Sequence, residues 1–264
     1  MSPRGSLVAV VAHPDDEALI AGGTLALAAD AGTPTGVVSL TRGELGPVAP
    51  GSLRDGETLP VARARELDAS ARELGIAWAR CLRHPDGELA SVDGVAASRE
   101  LAEILRPHAP AVLLTFGEDG LYGHPDHVAT RAIVAAAARL LAPRPALLEA
   151  VWPPELVPDL VAAAAARGLP VDLWGLPPRA FGAPLRMPVA AIDVRPVMTR
   201  KLRAVRAHRT QLAPDHLLAA LPEELALRHL GREAWHAASA GALAELWALL
   251  APVVGDDDGR RAHG

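Results

Sequence analysis

Residues 7–40 read LVAVVAHPDDEALIAGGTLALAADAGTPTGVVSL and contain an apolar run, a polar turn, a helical pattern and a second apolar run. The uninterrupted apolar run at 7–12 is typical of a strand buried on both faces of a parallel sheet. Residues 17–30 have the apolar spacing of a helix, and the glycine and proline of residues 32–34 end it. Residues 36–41 predict the next strand. The stretch therefore predicts a β-α-β unit.

The same alternation continues along the chain. Further strands are predicted at residues 76–82, 111–115, 147–152 and 189–194, and further helices at 61–74, 95–105, 127–141 and 196–208. Strands that alternate with helices are typical of a parallel sheet. The loop 43–59 is long, and long loops in compact domains are often functional. We therefore expect an α/β fold with a mainly parallel sheet.

Composition excludes several classes of protein. The formal net charge is -5 and no basic stripe occurs, which argues against nucleic acid as a partner. Cys81 is the lone cysteine, so no internal disulfide is expected and a reducing compartment is indicated. No apolar run approaches the roughly 18 residues of a membrane span, and the N-terminus lacks a signal-peptide pattern. We expect a cytoplasmic protein with no membrane insertion, and we leave open whether it forms a homo-oligomer.

Two short motifs carry the chemistry: HPDDE at residues 13–17 and GHPDH at residues 123–127. Each follows a predicted strand and opens a helix. Because the carboxyl ends of parallel strands meet at one edge of a sheet, both motifs are expected in one pocket. Adjacent carboxylates beside histidines require a counter-charge, and this mixture of ligands favours zinc, with iron or another first-row divalent metal as the alternative. We predict that His13, Asp16 and His127 bind the metal and leave one position for water.

The neighbouring polar residues are assigned roles around that water. Metal binding lowers the pKa of water to about 7, and Asp15 is placed to accept the water proton. His124 can donate a hydrogen bond or a proton on the other side, and Asp126 can hold a histidine in its required tautomer. The competing interpretation is structural, because Asp15 or Asp16 could simply cap a helix.

The motifs also resemble a known family. AHPDDEALIAGGTLA at residues 12–26, YGHPDH at 122–127 and TRGELG at 41–46 resemble the PIG-L/LmbE-like N-acetylglucosaminyl deacetylases. The resemblance implies a Rossmann-like, three-layer fold with helices on both faces of the sheet. It implies zinc at the same three ligands and Asp15 as general base. It also adds Tyr122, which would lie with His124 at the oxyanion.

The resemblance further implies residues on the substrate side. They are Arg42 and Glu44 in the loop after the second strand, Arg63 in the following helix, and Asp86 in PDGEL at residues 85–89. HRTQ at residues 208–211 is similar to a late H-x-S-Q element, with Thr210 in place of serine. Residues 143–188 match nothing in the family pattern.

These observations lead to one predicted function and two alternatives. We expect a metal-dependent hydrolase that removes an N-acetyl or other N-acyl group from a small amino-sugar or glycoconjugate substrate. The alternatives are an amidase acting on a thiol conjugate and a non-catalytic α/β domain that binds a sugar or nucleotide. A single domain is expected over residues 1–254, with a metal-binding core at 1–142 and a pocket-forming part at 143–254. Residues 255–264 are predicted to form a disordered tail.

Overall fold

A computed structural model describes residues 5–251, which form a seven-stranded sheet in the order β3-β2-β1-β4-β5-β7-β6. The strands are β1 (Ser6–Val11), β2 (Thr35–Thr41), β3 (Trp78–His84), β4 (Pro110–Phe116), β5 (Ala146–Val151), β6 (Val189–Asp193) and β7 (Arg232–Ala237). The first five strands are parallel, and β7 runs antiparallel to both of its neighbours. The predicted mainly parallel α/β sheet is confirmed.

Helices connect the strands and pack in two groups. They are α1 (Asp16–Ile20), α2 (Gly22–Asp30), α3 (Leu59–Leu74), α4 (Gly94–Leu105), α5 (Gly120–Gly123), α6 (Pro125–Arg139), α7 (Leu156–Ala165), α8 (Met198–Ala207), α9 (Leu217–Ala220), α10 (Glu223–His229) and α11 (Ala240–Leu250). Helices α1, α2, α3 and α8 contact one another, whereas α4 packs on α6. The two groups form the outer layers of the expected three-layer fold.

Strand β1, which lies in the interior of the sheet, explains the apolar run at residues 7–12. All six of its residues are buried, between β2 on one side and β4 on the other. A strand that is covered on both faces gains from apolar side chains at every position, because none of them faces water. This strand fixes the point from which the first polar motif emerges.

The structure differs from the sequence-based expectation in several places, and helices α7, α9, α10 and α11 were not predicted. The helix expected at 17–30 is two helices that meet at Ala21. Strand β7 was not predicted, because its sequence REAWHA does not alternate polar and apolar residues: the charged Glu233 occupies a buried position. The predicted tail at 255–264 lies outside the described residues. Among residues 5–251, no helix combines the length and the apolar character needed to cross a bilayer.

Strand β7 carries a buried carboxylate that anchors the helices after the first motif. Glu233 accepts hydrogen bonds from the backbone N–H groups of Gly23 and Thr24, both at 2.8 Å, and from the Thr24 hydroxyl at 2.6 Å. The Lys201 ammonium group lies 2.6 Å from the same carboxylate. Trp235 Nε1 donates to Thr24 Oγ1 at 3.1 Å. The N-terminus of α2 is therefore tied to the far end of the sheet.

Candidate active site and metal centre

The two His-Pro-Asp motifs lie side by side at the carboxyl edge of the sheet. Strands β1 and β4 are parallel neighbours, so the segments that follow them leave the sheet at the same edge. This placement brings together His13, Asp16 and His127, all buried, with ligand atoms that lie within 4.8 Å of one another. The juxtaposition that we expected from the sequence is present, and the binding of a metal by these residues stays a prediction.

The hydrogen bonds of His127 fix which of its ring nitrogens faces the cluster as an acceptor. Nδ1 lies 3.0 Å from the Gly120 carbonyl oxygen, which can only accept, so Nδ1 carries the proton. In the neutral ring, Nε2 then presents a lone pair, and this buried atom has no hydrogen-bond partner within the described residues 5–251. It lies 3.3 Å from Asp16 Oδ1. Two buried electron-rich atoms facing each other call for a cation between them.

His13 has the same arrangement. Its Nε2 contacts Asp86 Oδ1 at 3.0 Å and Asp126 Oδ2 at 3.3 Å, and these carboxylates hold the ring proton on Nε2. Nδ1 is left facing Asp16 Oδ2 at 3.4 Å. A carboxylate that holds the outer N–H of a histidine is the usual support of a metal-binding imidazole. Two imidazole lone pairs and one carboxylate thus converge, and this donor set fits a divalent first-row metal.

An overlapping group of possible ligands consists of His13, His124 and Asp126. Asp126 is already used, because its Oδ2 accepts from the Gly87 N–H at 2.8 Å and its Oδ1 from the Leu89 N–H at 3.0 Å. Asp16 accepts one such bond, from the His13 N–H to Oδ2 at 2.8 Å, so it has more capacity for an ion than Asp126 has. We favour the group that contains Asp16 and His127 as the metal centre.

Asp15 lies at the side of this cluster in a backbone conformation with φ of 136°. Its Oδ2 is 3.1 Å from Arg63 Nη2. Burial raises the pKa of Asp15 to about 6, and the Arg63 guanidinium acts in the opposite direction. A carboxylate with such a pKa is ionised at neutral pH and still basic enough to take a proton.

Arg63 joins two loops as well as contacting Asp15. The guanidinium donates to the Pro14 carbonyl at 2.7 Å and to the Gly43 carbonyl at 2.9 Å. Gly43 has a φ of 61°, and a Cβ atom there would lie 2.2 Å from Arg63 Nη1. The loop after β2 can approach the arginine this closely only because residue 43 is glycine.

Two potential hydrogen-bond donors line the opposite side of the cavity. His124 Nδ1 accepts from the Asp126 N–H at 3.2 Å, which leaves Nε2 as the N–H of the neutral ring. Burial and the neighbouring His127 lower the pKa of His124, which favours that neutral form. Burial and the Asp16 carboxylate raise the pKa of Tyr122 well above its ordinary value, so its hydroxyl stays protonated.

A polar network beneath the motif was not assigned a role from the sequence. Glu17 is fully buried and accepts from the Asp15 N–H at 3.0 Å and the Ser70 hydroxyl at 2.5 Å. His208 Nε2 lies 2.7 Å from Glu17 Oε1. Glu66, one turn before Ser70 on α3, accepts from the Thr210 hydroxyl at 2.6 Å. In the sequence, only the HRTQ element indicated these contacts. Through His208 and Thr210, this element binds the late part of the chain to the HPDDE turn and to α3.

The residues predicted on the substrate side divide into two sets. Arg63 and Asp86 line the cavity, whereas Arg42 and Glu44 do not. Glu44 Oε1 accepts the Asp86 N–H at 3.1 Å, and Asp86 Oδ2 accepts the Leu45 N–H at 2.8 Å, so the two loops brace each other. Contact of any of these side chains with substrate stays a prediction.

The cavity above the cluster has a volume of about 270 Å³. Its polar side includes Asp15, Arg63, Asp86 and Gln211, with Leu45 and Pro47 beside the last two, and its apolar wall includes Leu19, Leu121, Tyr122, Trp152, Trp174 and Phe181. The chain has only five tryptophans, two phenylalanines and one tyrosine, and four of these side chains line the cavity. Three of them come from the stretch 143–188, which lies in the part of the chain that we predicted to form the pocket, although the sequence did not indicate which side chains would line it.

Known proteins resemble this chain in sequence and in fold. The PIG-L family model, described as GlcNAc-PI de-N-acetylase, matches residues 8–138. A 1D-myo-inositol 2-acetamido-2-deoxy-alpha-D-glucopyranoside deacetylase from Acidothermus cellulolyticus is 32% identical over 262 residues, covering 86% of this chain and 87% of that protein. A protein of the same name from Gordonia bronchialis is also 32% identical, with coverages of 90% and 96%. The solved structure of N,N'-diacetylchitobiose deacetylase from Pyrococcus horikoshii superposes with a TM-score of 0.59 and 23% identity, over 88% of this chain and 82% of that one.

Proposed function

The chain belongs to the PIG-L family, and from that premise we propose that it is a metal-dependent hydrolase that releases acetate from the nitrogen of an N-acetylated amino sugar. One observation carries the proposal. The buried side chains of His13, Asp16 and His127 have ligand atoms within 4.8 Å of one another, beside a cavity that is also lined by Asp15. In the neutral ring, His127 Nε2 finds no hydrogen-bond partner among residues 5–251, and a bound cation would supply one.

The metal that we propose is zinc. An ion held by His13, Asp16 and His127 would supply Lewis-acid chemistry, lowering the pKa of a water molecule that it contacts to about 7 and polarising the amide carbonyl. Asp86 and Asp126 hold the His13 ring, and the Gly120 carbonyl holds the His127 ring. Both imidazoles are thereby oriented before any ion arrives, which favours binding.

The protein side chains have separate tasks in the proposed reaction. Asp15 accepts a proton from the attacking water and later gives it to the leaving nitrogen. The Nε2–H of His124 and the hydroxyl of Tyr122 donate to the carbonyl oxygen as negative charge develops on it. Arg63 keeps Asp15 ionised and fixes its position through the contact at 3.1 Å.

The amino-sugar substrate is proposed from the curated relatives, whose names specify an acetamido sugar joined to inositol. The polar side of the cavity supports this choice, because carboxylate, guanidinium and amide groups can bond sugar hydroxyls. The alternatives are a thiol-conjugate amidase and a non-catalytic binding domain. The experiment below tests the proposed deacetylase against them.

The test combines metal analysis with an assay for released amine. We expect about one metal per chain, removable by a chelator, and amine release from N-acetylglucosamine or its inositol conjugate. Asp15→Asn should retain the metal and lose about 10²–10⁴-fold in kcat, whereas His127→Ala should lose the metal. Asp68→Asn, on the exposed side of α3, is the matched control and should behave as wild type. Undiminished hydrolysis by Asp15→Asn, or no bound metal in wild type, would refute the mechanism.

A further inference from the structure

The geometry points to a subsite for an acyl chain: we propose that the enzyme accepts N-acyl groups longer than acetyl and binds a butanoyl or hexanoyl chain better than acetyl. This inference rests on the proposed function and names its substrate class more closely. It is carried by the separation of polar and apolar side chains around the cavity and by an apolar cleft that continues from one wall.

The cleft is lined by ten side chains, all of them apolar. They are Leu19, Trp152, Leu156, Val157, Leu160, Leu173, Trp174, Phe181, Leu218 and Leu230. Four of these side chains, Leu19, Trp152, Trp174 and Phe181, also line the main cavity. The two spaces therefore share a wall, and in the described part of the chain no polar side chain lines the inner one.

The apolar wall begins next to the proposed oxyanion donors. The Tyr122 ring lies 5.6 Å from the His124 ring and 5.1 Å from the Phe181 ring, measured between centroids. Trp152 and Phe181 have ring centroids 6.1 Å apart. Tyr122 and His124 are the donors proposed for the carbonyl oxygen of the substrate. An acyl chain attached to that carbonyl carbon would therefore contact the aromatic side chains of the apolar wall.

The segment that carries Trp152, Trp174 and Phe181 is hydrogen-bonded to Leu121, the residue before Tyr122. The Gly182 N–H donates to the Leu121 carbonyl at 3.0 Å, and the Ala183 N–H donates to the Trp152 carbonyl at 2.9 Å. Gly182 has a φ of 91°, and a Cβ atom there would lie 2.7 Å from the Trp152 carbonyl oxygen. The aromatic wall is consequently part of the active-site architecture and is not a separate surface patch.

The chemistry of a bound N-acyl sugar determines which part faces which wall. Sugar hydroxyls lose hydrogen bonds to water unless polar groups replace them, so the sugar belongs against Asp86, Arg63 and Gln211. The acyl group has only carbon and hydrogen beyond its carbonyl and gains by leaving water for the apolar wall. The inner cleft has a volume of about 20 Å³, room for one water-sized sphere, so the gain should level off once a chain reaches it.

Binding to metal-free protein tests the subsite without requiring turnover. N-acetyl-, N-butanoyl- and N-hexanoylglucosamine are titrated into the chelator-treated wild type by calorimetry. The butanoyl compound should bind about 15-fold more tightly than the acetyl compound, which is the value for two buried methylenes. Affinity that stays level or falls from acetyl to butanoyl would overturn the proposal.

Hydrolysis of the same three compounds by metal-loaded enzyme distinguishes failure of the proposed function from failure of the proposed subsite. If none is hydrolysed while affinity still rises with chain length, the proposed function fails and the subsite stands. If only the acetyl compound is hydrolysed and affinity does not rise, the subsite fails and the proposed function stands.

A variant of the wall gives an independent check. Trp174→Ala removes an aromatic side chain shared by the cavity and the cleft, and it should reduce the ratio of butanoyl to acetyl affinity at least threefold. Trp247→Ala is the matched control, because Trp247 lies on α11 and lines neither space. An equal ratio in the two variants would contradict the assignment of the wall, and circular dichroism establishes that both are folded.

Discussion

Replacing Glu233 by glutamine tests whether β7 stabilises the helices that follow the HPDDE turn. In the wild type, Oε1 accepts from the Gly23 N–H and contacts Lys201 Nζ, while Oε2 accepts from the N–H and the hydroxyl of Thr24. Glutamine keeps the shape of the side chain but retains only one acceptor oxygen. The other donors would face an amide nitrogen that cannot accept.

The magnitude follows from these contacts. Lys201 and Glu233 are both almost fully buried, so the substitution leaves an ammonium group without a counter-charge. Removing one partner of a buried ion pair costs about 3–5 kcal/mol of unfolding free energy, and we expect Glu233→Gln to fall in this range. Adding Lys201→Met to it should recover part of the loss, because the unpaired charge is then gone.

Urea denaturation followed by circular dichroism measures the effect as a lower midpoint at unchanged slope. Glu224→Gln is the control, because Glu224 pairs with Arg167 on an exposed surface, and its midpoint should match wild type. A loss below about 1 kcal/mol for Glu233→Gln would refute the claim that this carboxylate is an anchor.

Two further predictions concern packing and pH. Gly23→Ala would place a Cβ atom 2.4 Å from Val194 Cβ and should cost about 1–3 kcal/mol by urea denaturation, whereas Gly94→Ala, with no atom within 4 Å of the new Cβ, should cost nothing. Burial lowers the pKa of His208, but the Glu17 carboxylate outweighs it and raises that pKa above 6.5. The stability that His208 adds is therefore complete below its unfolded-state pKa and is lost as pH rises through the folded-state pKa. The difference in unfolding free energy between wild type and His208→Gln should shrink from about pH 6 to about pH 9, and a difference that grows with pH would contradict this sign.

The sequence predicts those parts of the fold that are determined by residues close together in the chain. The apolar run in β1 and the polar turn after it are neighbours in the chain, and the parallel sheet brings His13 and His127 to one edge. Burial of a strand on both faces leaves a continuous pattern that needs no knowledge of the rest of the fold. The convergence of His13, Asp16 and His127 could therefore be expected from the sequence alone.

The parts that escaped prediction depend on distant residues. Strand β7 has the sequence REAWHA, which does not alternate polar and apolar side chains, and its pairing with β5 has no local signal. Trp152, Trp174 and Phe181 follow no common period, so their convergence on one cavity depends on tertiary structure alone. The same holds for the bond between Glu17 and His208, which are 191 residues apart in the chain.

These hydrogen bonds between residues far apart in the chain determine when the site can be completed during synthesis. A ribosome that has translated residue 127 has produced all three proposed ligands but neither His208 nor Glu233, which hold the turn and the helices around Asp16. At common elongation rates, the wait for Glu233 lasts roughly 5–20 s. Stable metal loading is therefore expected as a late step in biogenesis, after the C-terminal strand has emerged and joined the sheet.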